Sequence, residues 1–101
     1  MAKVISAKEA AELIKDEQTV AILGSGGGVC EPTLLLQKIG ERYLEEKMPK
    51  NLTIFHANGI GDKESIGTDC LAHEGLVRRD IGGHWAMAPK MAELALEEKI
   101  E

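Results

Sequence analysis

The sequence has few of the residues that define several protein classes. It contains only three aromatic residues, so a folded core has to be built from aliphatic side chains. Its two cysteines, Cys30 and Cys70, lack the paired spacing of a zinc site or a disulfide scaffold. Its 12 basic residues are outnumbered by 17 acidic ones, and the net charge of −5 argues against nucleic acid or an anionic membrane as partner.

Long apolar runs are also missing. No stretch approaches the roughly 20 apolar residues of a transmembrane helix, and the N-terminus lacks the apolar core of a signal peptide. With 44% hydrophobic and 29% charged residues, the 101-residue chain has the composition of one small globular domain. We therefore expect a cytoplasmic protein that binds neither membrane nor nucleic acid.

Helix and strand signals alternate along the chain. The predicted elements are helix 7–15, strand 19–23, helix 32–47, strand 51–56, a short helix capped by Thr68 or Asp69, strand 76–81 and helix 89–99. The first helix begins at a capping box of Ser6 and Glu9 and is expected to bury Ala10, Leu13 and Ile14. Strand 19–23 is apolar enough to be buried. The alternation predicts an α/β fold, with a partial parallel sheet and flanking helices.

Three loops of small residues each follow a predicted strand, at 24–28, 57–62 and 82–85. The carboxyl ends of parallel strands meet at one edge of a sheet, and ligands of such sheets bind there. We therefore expect the three loops to lie together and form one site. The first loop, rich in glycine, would offer unpaired backbone N–H groups to an anion or an oxyanion.

The first loop by itself fits several ligands. It begins Gly-x-Gly, but Val29 stands where a dinucleotide fingerprint has its third glycine, and strand 51–56 ends without the acidic residue that holds a ribose. No Gly-Lys-Ser/Thr follows it, which excludes a Walker A phosphate loop. A tight structural turn is the other alternative, although three consecutive glycines are more than a turn requires.

Cys30 and Glu31 lie just before the second predicted helix. This position would stabilise a thiolate at Cys30. A carboxylate at Glu31 could serve there as a general base. Packing is the favoured interpretation of Cys30, and an acidic residue at a helix N-terminus explains Glu31 at least as well as catalysis does.

A metal site is not predicted, because no two of the three histidines share a helix face or a metal-binding motif: His56, His73 and His84. His84 and Trp85 follow a strand and a Gly-Gly pair, so both are candidates to line the site, although Trp85 fits a core position equally well. Arg78 and Arg79 could pair with an anionic ligand. Because side chains alternate along a strand, at least one of them is expected to be solvated.

Several blocks of the sequence match one enzyme family. The matching blocks are the run from Asp16 to Gly28, Pro49-Lys50-Asn51-Leu52-Thr53, Gly59-Ile60-Gly61-Asp62, Ala72-His73-Glu74-Gly75-Leu76-Val77 and Gly82-Gly83-His84-Trp85. In these blocks the chain resembles family I coenzyme A transferases, most closely the acetyl-CoA:acetate and propionate CoA-transferase branch, whose two halves are fused. The resemblance covers essentially all 101 residues in order. The chain departs from the broader signature at Leu23-Gly24-Ser25, in place of Gly-Gly-Phe, and at Pro32, about one position late.

The resemblance implies a ping-pong exchange of CoA between an acyl-CoA and a short carboxylic acid such as acetate. Enzymes of this family use a glutamate carboxylate as nucleophile, which forms an acyl-glutamyl anhydride and then a glutamyl-CoA thioester. That glutamate lies in the second half of the family's chain, in an E-x-G-x-x-G setting that Glu74-Gly75-Leu76 does not match. The resemblance therefore implies that residues 1–101 are the N-terminal portion of an alpha-type domain, truncated at its C-terminus and without a catalytic residue.

The resemblance also implies ligands and partners. A CoA thioester is the substrate, no cofactor is bound permanently, and no metal is needed. The partners are an acyl-CoA, a short carboxylic acid, the remaining half or subunit of the transferase, and other copies in a homo-oligomer. The residues expected to bind substrate are Gly26, Gly27, Gly28, Asn58, Gly59, Gly61 and His84.

Two other functions stay open from the residues alone. The chain could be a stand-alone module that binds an anionic small molecule or a nucleotide with its glycine loops. It could also be a structural fragment that persists as an oligomer because copies cover the open edge of the sheet.

Overall fold

The computed structural model describes residues 2–24 and 30–101. Its elements are α1 (Ala7–Glu12), β1 (Thr19–Ala21), α2 (Thr33–Glu46), β2 (Leu52–His56), a 3-10 helix (Gly67–Leu71), β3 (Val77–Gly82) and α3 (Pro89–Leu96). The three strands form one parallel sheet in the order β1-β2-β3. The structure confirms the predicted α/β fold with a parallel sheet and flanking helices.

Helix α1 begins at the predicted capping box. The Glu9 backbone N–H donates to Ser6 Oγ (3.1 Å), and the Ser6 backbone N–H donates to Glu9 Oε1 (3.2 Å). The helix ends earlier than predicted, at Glu12, and the prediction that it buries Leu13 is wrong, because that side chain is 66% exposed. Ala11 is buried instead, and Arg42 of α2 donates to the Ala11 and Ile14 carbonyl oxygens at the helix end.

Strand β1 corrects the prediction of a buried strand over 19–23. It spans only Thr19–Ala21, and both of those residues are exposed while Val20 between them is partly buried. Leu23 is 92% exposed. The physical reason is position, because β1 lies at the edge of the sheet and pairs with β2 on one side only.

Helix α2 presents an apolar face to the core. Leu36, Ile39 and Tyr43 are buried, whereas Leu35 remains 40% exposed. The Tyr43 hydroxyl donates to the Glu74 carbonyl oxygen (2.7 Å), which ties α2 to the segment before β3. The three buried residues follow one another at three- and four-residue spacing, as expected for an amphipathic helix.

The predicted short helix before β3 is a 3-10 helix, and its predicted caps have other roles. Ile66 is its N-cap, and Thr68 and Asp69 both lie inside it and are buried. Asp69 Oδ1 accepts a hydrogen bond from the Met91 backbone N–H (3.0 Å), in the first turn of α3. The Asp69 carboxylate therefore accepts from a backbone N–H in the first turn of α3, where such groups have no partner within the helix.

The sheet has one face covered by helices and one bare face. On the covered face, Leu52 and Ile54 of β2 are fully buried. The neighbouring row of the sheet points to the opposite side and consists of Ala21, Phe55 and Ile81. Phe55 and Ile81 are 49% and 45% exposed, and Ala21 is exposed as well. We call this surface, defined by those three residues, the bare face.

Glu101 pairs with the outer edge of β3. Its backbone N–H donates to the Arg78 carbonyl oxygen (2.9 Å), and its carbonyl oxygen accepts from the Asp80 N–H (2.8 Å). This is the hydrogen-bond pattern of a parallel neighbour. The Glu101 carboxylate also accepts from Arg79 Nε (2.7 Å), so that guanidinium, predicted as a possible partner of an anionic ligand, has a protein carboxylate beside it.

Candidate functional site

Described residues that follow each of the three strands meet at one edge of the sheet, as predicted. The Asn58 side chain, in the loop after β2, donates from Nδ2 to the Gly24 carbonyl oxygen after β1 (3.2 Å). Gly83, after β3, packs so closely against the Ala57 carbonyl oxygen that a side chain at position 83 would collide with it. Three predicted site residues lie outside the described residues: Gly26, Gly27 and Gly28.

Two reciprocal histidine–glycine contacts hold the second and third loops together. The His84 ring, after β3, lies directly on Gly59, after β2, where a side chain would collide with the imidazole. In the opposite direction, the His56 ring at the end of β2 lies on Gly82 at the end of β3. In each contact, one chain segment supplies an imidazole ring and the other supplies a glycine without a side chain. This close approach gives a physical reason for glycine at positions 59 and 82.

His84 presents its second ring nitrogen as a donor. Its Nδ1 accepts a hydrogen bond from the Ala86 backbone N–H (3.2 Å), so in this geometry the ring proton is assigned to Nε2. The side chain is exposed at the edge where the loops meet. Beside it, Trp85 is partly buried, and its Nε1 has no hydrogen-bond partner among the described residues. His84 Nε2 is therefore a hydrogen-bond donor exposed at this edge.

The loop after β2 is fixed by its own side chains and by the segment before α3. Gly61 has φ +138°, and a side chain there would collide with the Met87 carbonyl oxygen, which also accepts from the Lys63 N–H (2.9 Å). Asp62 Oδ1 accepts from the backbone N–H groups of three residues: Glu64, Ser65 and Ile66. These hydrogen bonds, chiefly that from Glu64, lower the pKa of Asp62 below its ordinary value.

A buried histidine–aspartate pair lies beneath these loops. His56 Nε2 is 2.7 Å from Asp80 Oδ1, and both side chains are almost fully buried. His56 Nδ1 is 2.6 Å from the Asn58 carbonyl oxygen. The hydrogen bond to Asp80 raises the pKa of His56 more than burial lowers it, and the Asn58 carbonyl adds to the rise.

Sequence reasoning missed this pair. His56 was considered only as a metal ligand, and Asp80 was not singled out. The only local signal was an acidic residue one position before the end of strand 76–81. Asp80 lies opposite Ile54 in the sheet register, so His56, two residues further along β2, is on the same face.

The ends of the first loop lie against the second. Gly24 packs against the Cys30 carbonyl oxygen, and a side chain at position 24 would meet Glu31 Cγ and Ile60 Cδ1 at 3.2 Å. Glu31 is partly buried at this point, next to the site. Cys30 is exposed, so the prediction that it serves as a packing residue is wrong. Its position just outside the helix leaves it no core to fill.

The remaining titratable groups lie away from the loop edge. His73 stacks on Tyr43 at a centroid distance of 6.3 Å, and burial, followed by nearby Lys90 and Lys47, lowers its pKa. Within residues 2–24 and 30–101, no cluster of three His, Cys, Asp or Glu side chains could hold a metal ion. No helix within these same ranges is long and apolar enough to cross a bilayer.

The fold is that of an α/β protein built on a parallel sheet. A parallel sheet carries small-residue loops at the carboxyl ends of its strands, where an α/β protein binds its ligand. Among the described residues the loops supply hydrogen-bond donors: the Asn58 amide and His84 Nε2. Hydrogen-bond donors of this kind can stabilise a carbonyl or an anionic ligand.

The sequence of residues 4–101 matches the family described as Coenzyme A transferase, and the chain belongs to this family. It is 42% identical over 97 residues to the acetate CoA-transferase YdiF of Escherichia coli K12. It is also 38% identical over 100 residues to the caffeate CoA-transferase of Acetobacterium woodii. The alignments cover 96% and 99% of this chain.

Solved structures give the same fold. The apoenzyme of the acyl-CoA transferase YdiF from Escherichia coli O157:H7 superposes with a TM-score of 0.92 at 41% identity, over 96% of this chain. A thioester complex of the same enzyme with CoA superposes with a TM-score of 0.91, over 95% of this chain. The chain spans only about a fifth of the length of these relatives, 18–20% in each case.

Proposed function

We propose that this chain is the N-terminal segment of an acyl-CoA:carboxylate CoA-transferase that uses a CoA thioester and a short carboxylic acid such as acetate. One observation carries the proposal. Almost the whole chain aligns at 42% identity with an acetate CoA-transferase of which it covers only 18%. The segment contributes one wall of the acyl or CoA site and lacks the catalytic glutamate, so it is inactive alone. We place this protein in the cytoplasm, as part of a homo-oligomeric enzyme.

The proposed role of the loops is to donate hydrogen bonds to the thioester carbonyl or to the carboxylate of the acceptor acid. The wall comprises the residues predicted from the sequence: Gly26, Gly27, Gly28, Asn58, Gly59, Gly61 and His84. Asn58 and His84 offer side-chain donors at the loop edge, and the bare Cα of Gly59 lets the His84 ring approach the backbone closely there. Donors aimed at developing negative charge stabilise an acyl-transfer transition state. The nucleophile comes from the remaining part of the transferase.

The bare face supports a role as part of a larger protein. Parallel sheets normally have both faces covered, yet Phe55 and Ile81 are about half exposed here. We propose that the remaining part of the transferase covers this face and brings its nucleophilic carboxylate to the loop edge. Parallel pairing of Glu101 with β3 adds a second surface at which that part joins.

A chimera tests the proposal. The first fifth of Escherichia coli YdiF is replaced by this chain, and transfer of CoA from acetyl-CoA to an acceptor acid is followed by chromatography. We expect no turnover by the 101-residue chain and turnover by the chimera. His84→Ala should lower the kcat of the chimera by about tenfold or more, as loss of an oxyanion donor does. The matched control, His73→Gln, changes a histidine that stacks on Tyr43 away from the loops.

Three results would contradict the proposal. Turnover by the 101-residue chain alone would show that it carries its own nucleophile. A folded but inactive chimera would show that this segment does not complete the site. Binding of CoA, acetyl-CoA or NADH by the isolated chain, measured by calorimetry, would favour the alternative of a stand-alone binding module.

A further inference from the structure

Both imidazole nitrogens of His56 make hydrogen bonds, one to Asn58 and one to Asp80. Neither His56 nor Asp80 belongs to the wall of the proposed site. One ring nitrogen faces a main-chain carbonyl oxygen, which only accepts hydrogen bonds. That contact therefore assigns a proton to Nδ1. The other nitrogen faces Asp80 Oδ1 at 2.7 Å, a hydrogen-bond distance that places a second proton between these two atoms. The hydrogen bond to Asp80 raises the pKa of His56, which favours the imidazolium over the neutral ring.

The other two histidines do not share this arrangement. His84 accepts at Nδ1 from a backbone N–H, and His73 stacks on Tyr43 with its pKa lowered by burial and two lysines. Asp80 is the one charged group that acts on His56 from the elements around it in the described part of the chain. Among the three histidines, hydrogen bonds to acceptor oxygens at both ring nitrogens are therefore specific to His56.

The Asn58 residue connects the pair to the loops. Its carbonyl oxygen accepts from His56 below, while its side-chain amide donates to the Gly24 carbonyl oxygen at the start of the glycine loop. Its neighbour Gly59 supports the His84 ring. A change in the position of one peptide, that of Asn58, would therefore move a contact with each of the other two loops.

We propose that the buried His56–Asp80 pair is a positioning device for the site, in which the Nδ1–H of His56 fixes the Asn58 carbonyl and, through Asn58 and Gly59, the placement of the loop after β2 relative to Gly24 and to the loop after β3. His56 and Asp80 contact no substrate in this arrangement and act through Asn58. The consequence for catalysis depends on the function proposed above, whereas the geometry and its test do not.

The two amide replacements of histidine separate positioning from packing. In His56→Asn the amide nitrogen takes the place of Nδ1 and still donates to the Asn58 carbonyl oxygen. In His56→Gln it takes the place of Nε2 and faces position 80 instead. Both are made together with Asp80→Asn, so that neither protein buries a carboxylate without a cationic partner. The matched control is Asp69→Asn, a buried aspartate that bonds to α3 away from the loops.

The measurement is NMR spectroscopy of the 101-residue chain labelled with ¹⁵N. In the unsubstituted chain, both ring nitrogens of His56 should show the shifts of a protonated imidazole at neutral pH. The Asn58 side-chain amide should keep its chemical shifts in the His56→Asn protein and change them in the His56→Gln protein. A neutral His56 ring, or equal changes in both variants, would overturn the inference.

The chimera supplies the second readout. His56→Gln with Asp80→Asn should lower kcat by about 10–100-fold, as misplacement of catalytic groups does, and His56→Asn should restore most of it. Equal activity of the two proteins would overturn the proposed positioning role. A chimera that is inactive before any substitution would count against the proposed function, while the NMR result would still decide the state of His56.

Discussion

The two faces of the sheet differ although they are built from alternate residues of the same strands. Ile54 is fully buried on the covered face, and Phe55, the next residue, is 49% exposed on the bare face. The chain therefore supplies enough helix to cover one side of its sheet and not the other. Under the function proposed above, this contrast identifies the surface that the remaining part of the transferase would cover.

Handedness explains why the helices gather on one side. The strands run in the order β1-β2-β3, all parallel, and connections between parallel strands are almost always right-handed. Strands added in one direction therefore place every connection on the same face. A helix on the bare face has to come from a strand added beyond β1 or from another part of the protein.

The largest expected effect lies on the covered face. Ile54→Ala removes a fully buried side chain and leaves a cavity, so it should lower the free energy of unfolding by about 3 kcal/mol. Urea unfolding of the 101-residue chain, followed by circular dichroism, measures the change. A loss below about 1 kcal/mol would mean that this face is loosely packed and that the contrast between the faces is smaller than the burial suggests.

An intermediate effect concerns the polar end of the covered face and depends on pH. Because the pKa of His56 is raised above 6.5, the stability that its protonation contributes is fully present below about pH 6.5. It is lost as the pH rises through the higher pKa of the folded protein. His73 has the opposite sign, since its pKa is lowered: its contribution is present above about pH 6.5 and lost as the pH falls.

Urea unfolding across a series of pH values measures this effect, with the double variant His56→Gln, Asp80→Asn as the comparison. The difference between the unsubstituted and substituted chains should shrink as the pH rises above about 6.5. His73→Gln is the matched control, because its difference should shrink in the other direction. A difference for His56 that grows with pH would exclude a stabilising imidazolium on the covered face.

The smallest expected effect lies on the bare face. Phe55→Thr keeps a good strand-forming residue and changes a half-exposed side chain, so the free energy of unfolding of the isolated chain should change by about 0.5 kcal/mol or less. In the chimera, where we propose that this face is covered, the same substitution should lower the thermal midpoint clearly. Equal small effects in both proteins would show that the bare face stays exposed in the enzyme.

Much of the fold could be predicted because its signals are local. The capping box at Ser6 needs only two residues three positions apart, and β2 and β3 follow apolar runs bounded by turn residues. The convergence of the loops followed from topology, since parallel strands place their carboxyl ends at one edge. The errors concern residues whose surroundings depend on distant elements, such as Leu13, exposed at the end of α1, and the edge strand β1.

The site divides in the same way. Gly59 and His84 were predicted to belong to one site, and the structure brings them into contact, while their role in binding substrate stays a prediction. The partnership of His56 with Asp80 could not be foreseen with certainty, because the residues are 24 positions apart and the contact depends on strand register. A one-residue shift in that register would place Asp80 on the opposite face.

The sequence by itself determined the alternation of helices and strands, the three small-residue loops, and the family to which this chain belongs, because each is written in local residue patterns. Only the tertiary structure decided which face of the sheet is covered, which carboxylate pairs with His56, and which glycines contact a histidine ring. Those features arise where strands and loops distant in the sequence are brought together, and their geometry is fixed by register and packing.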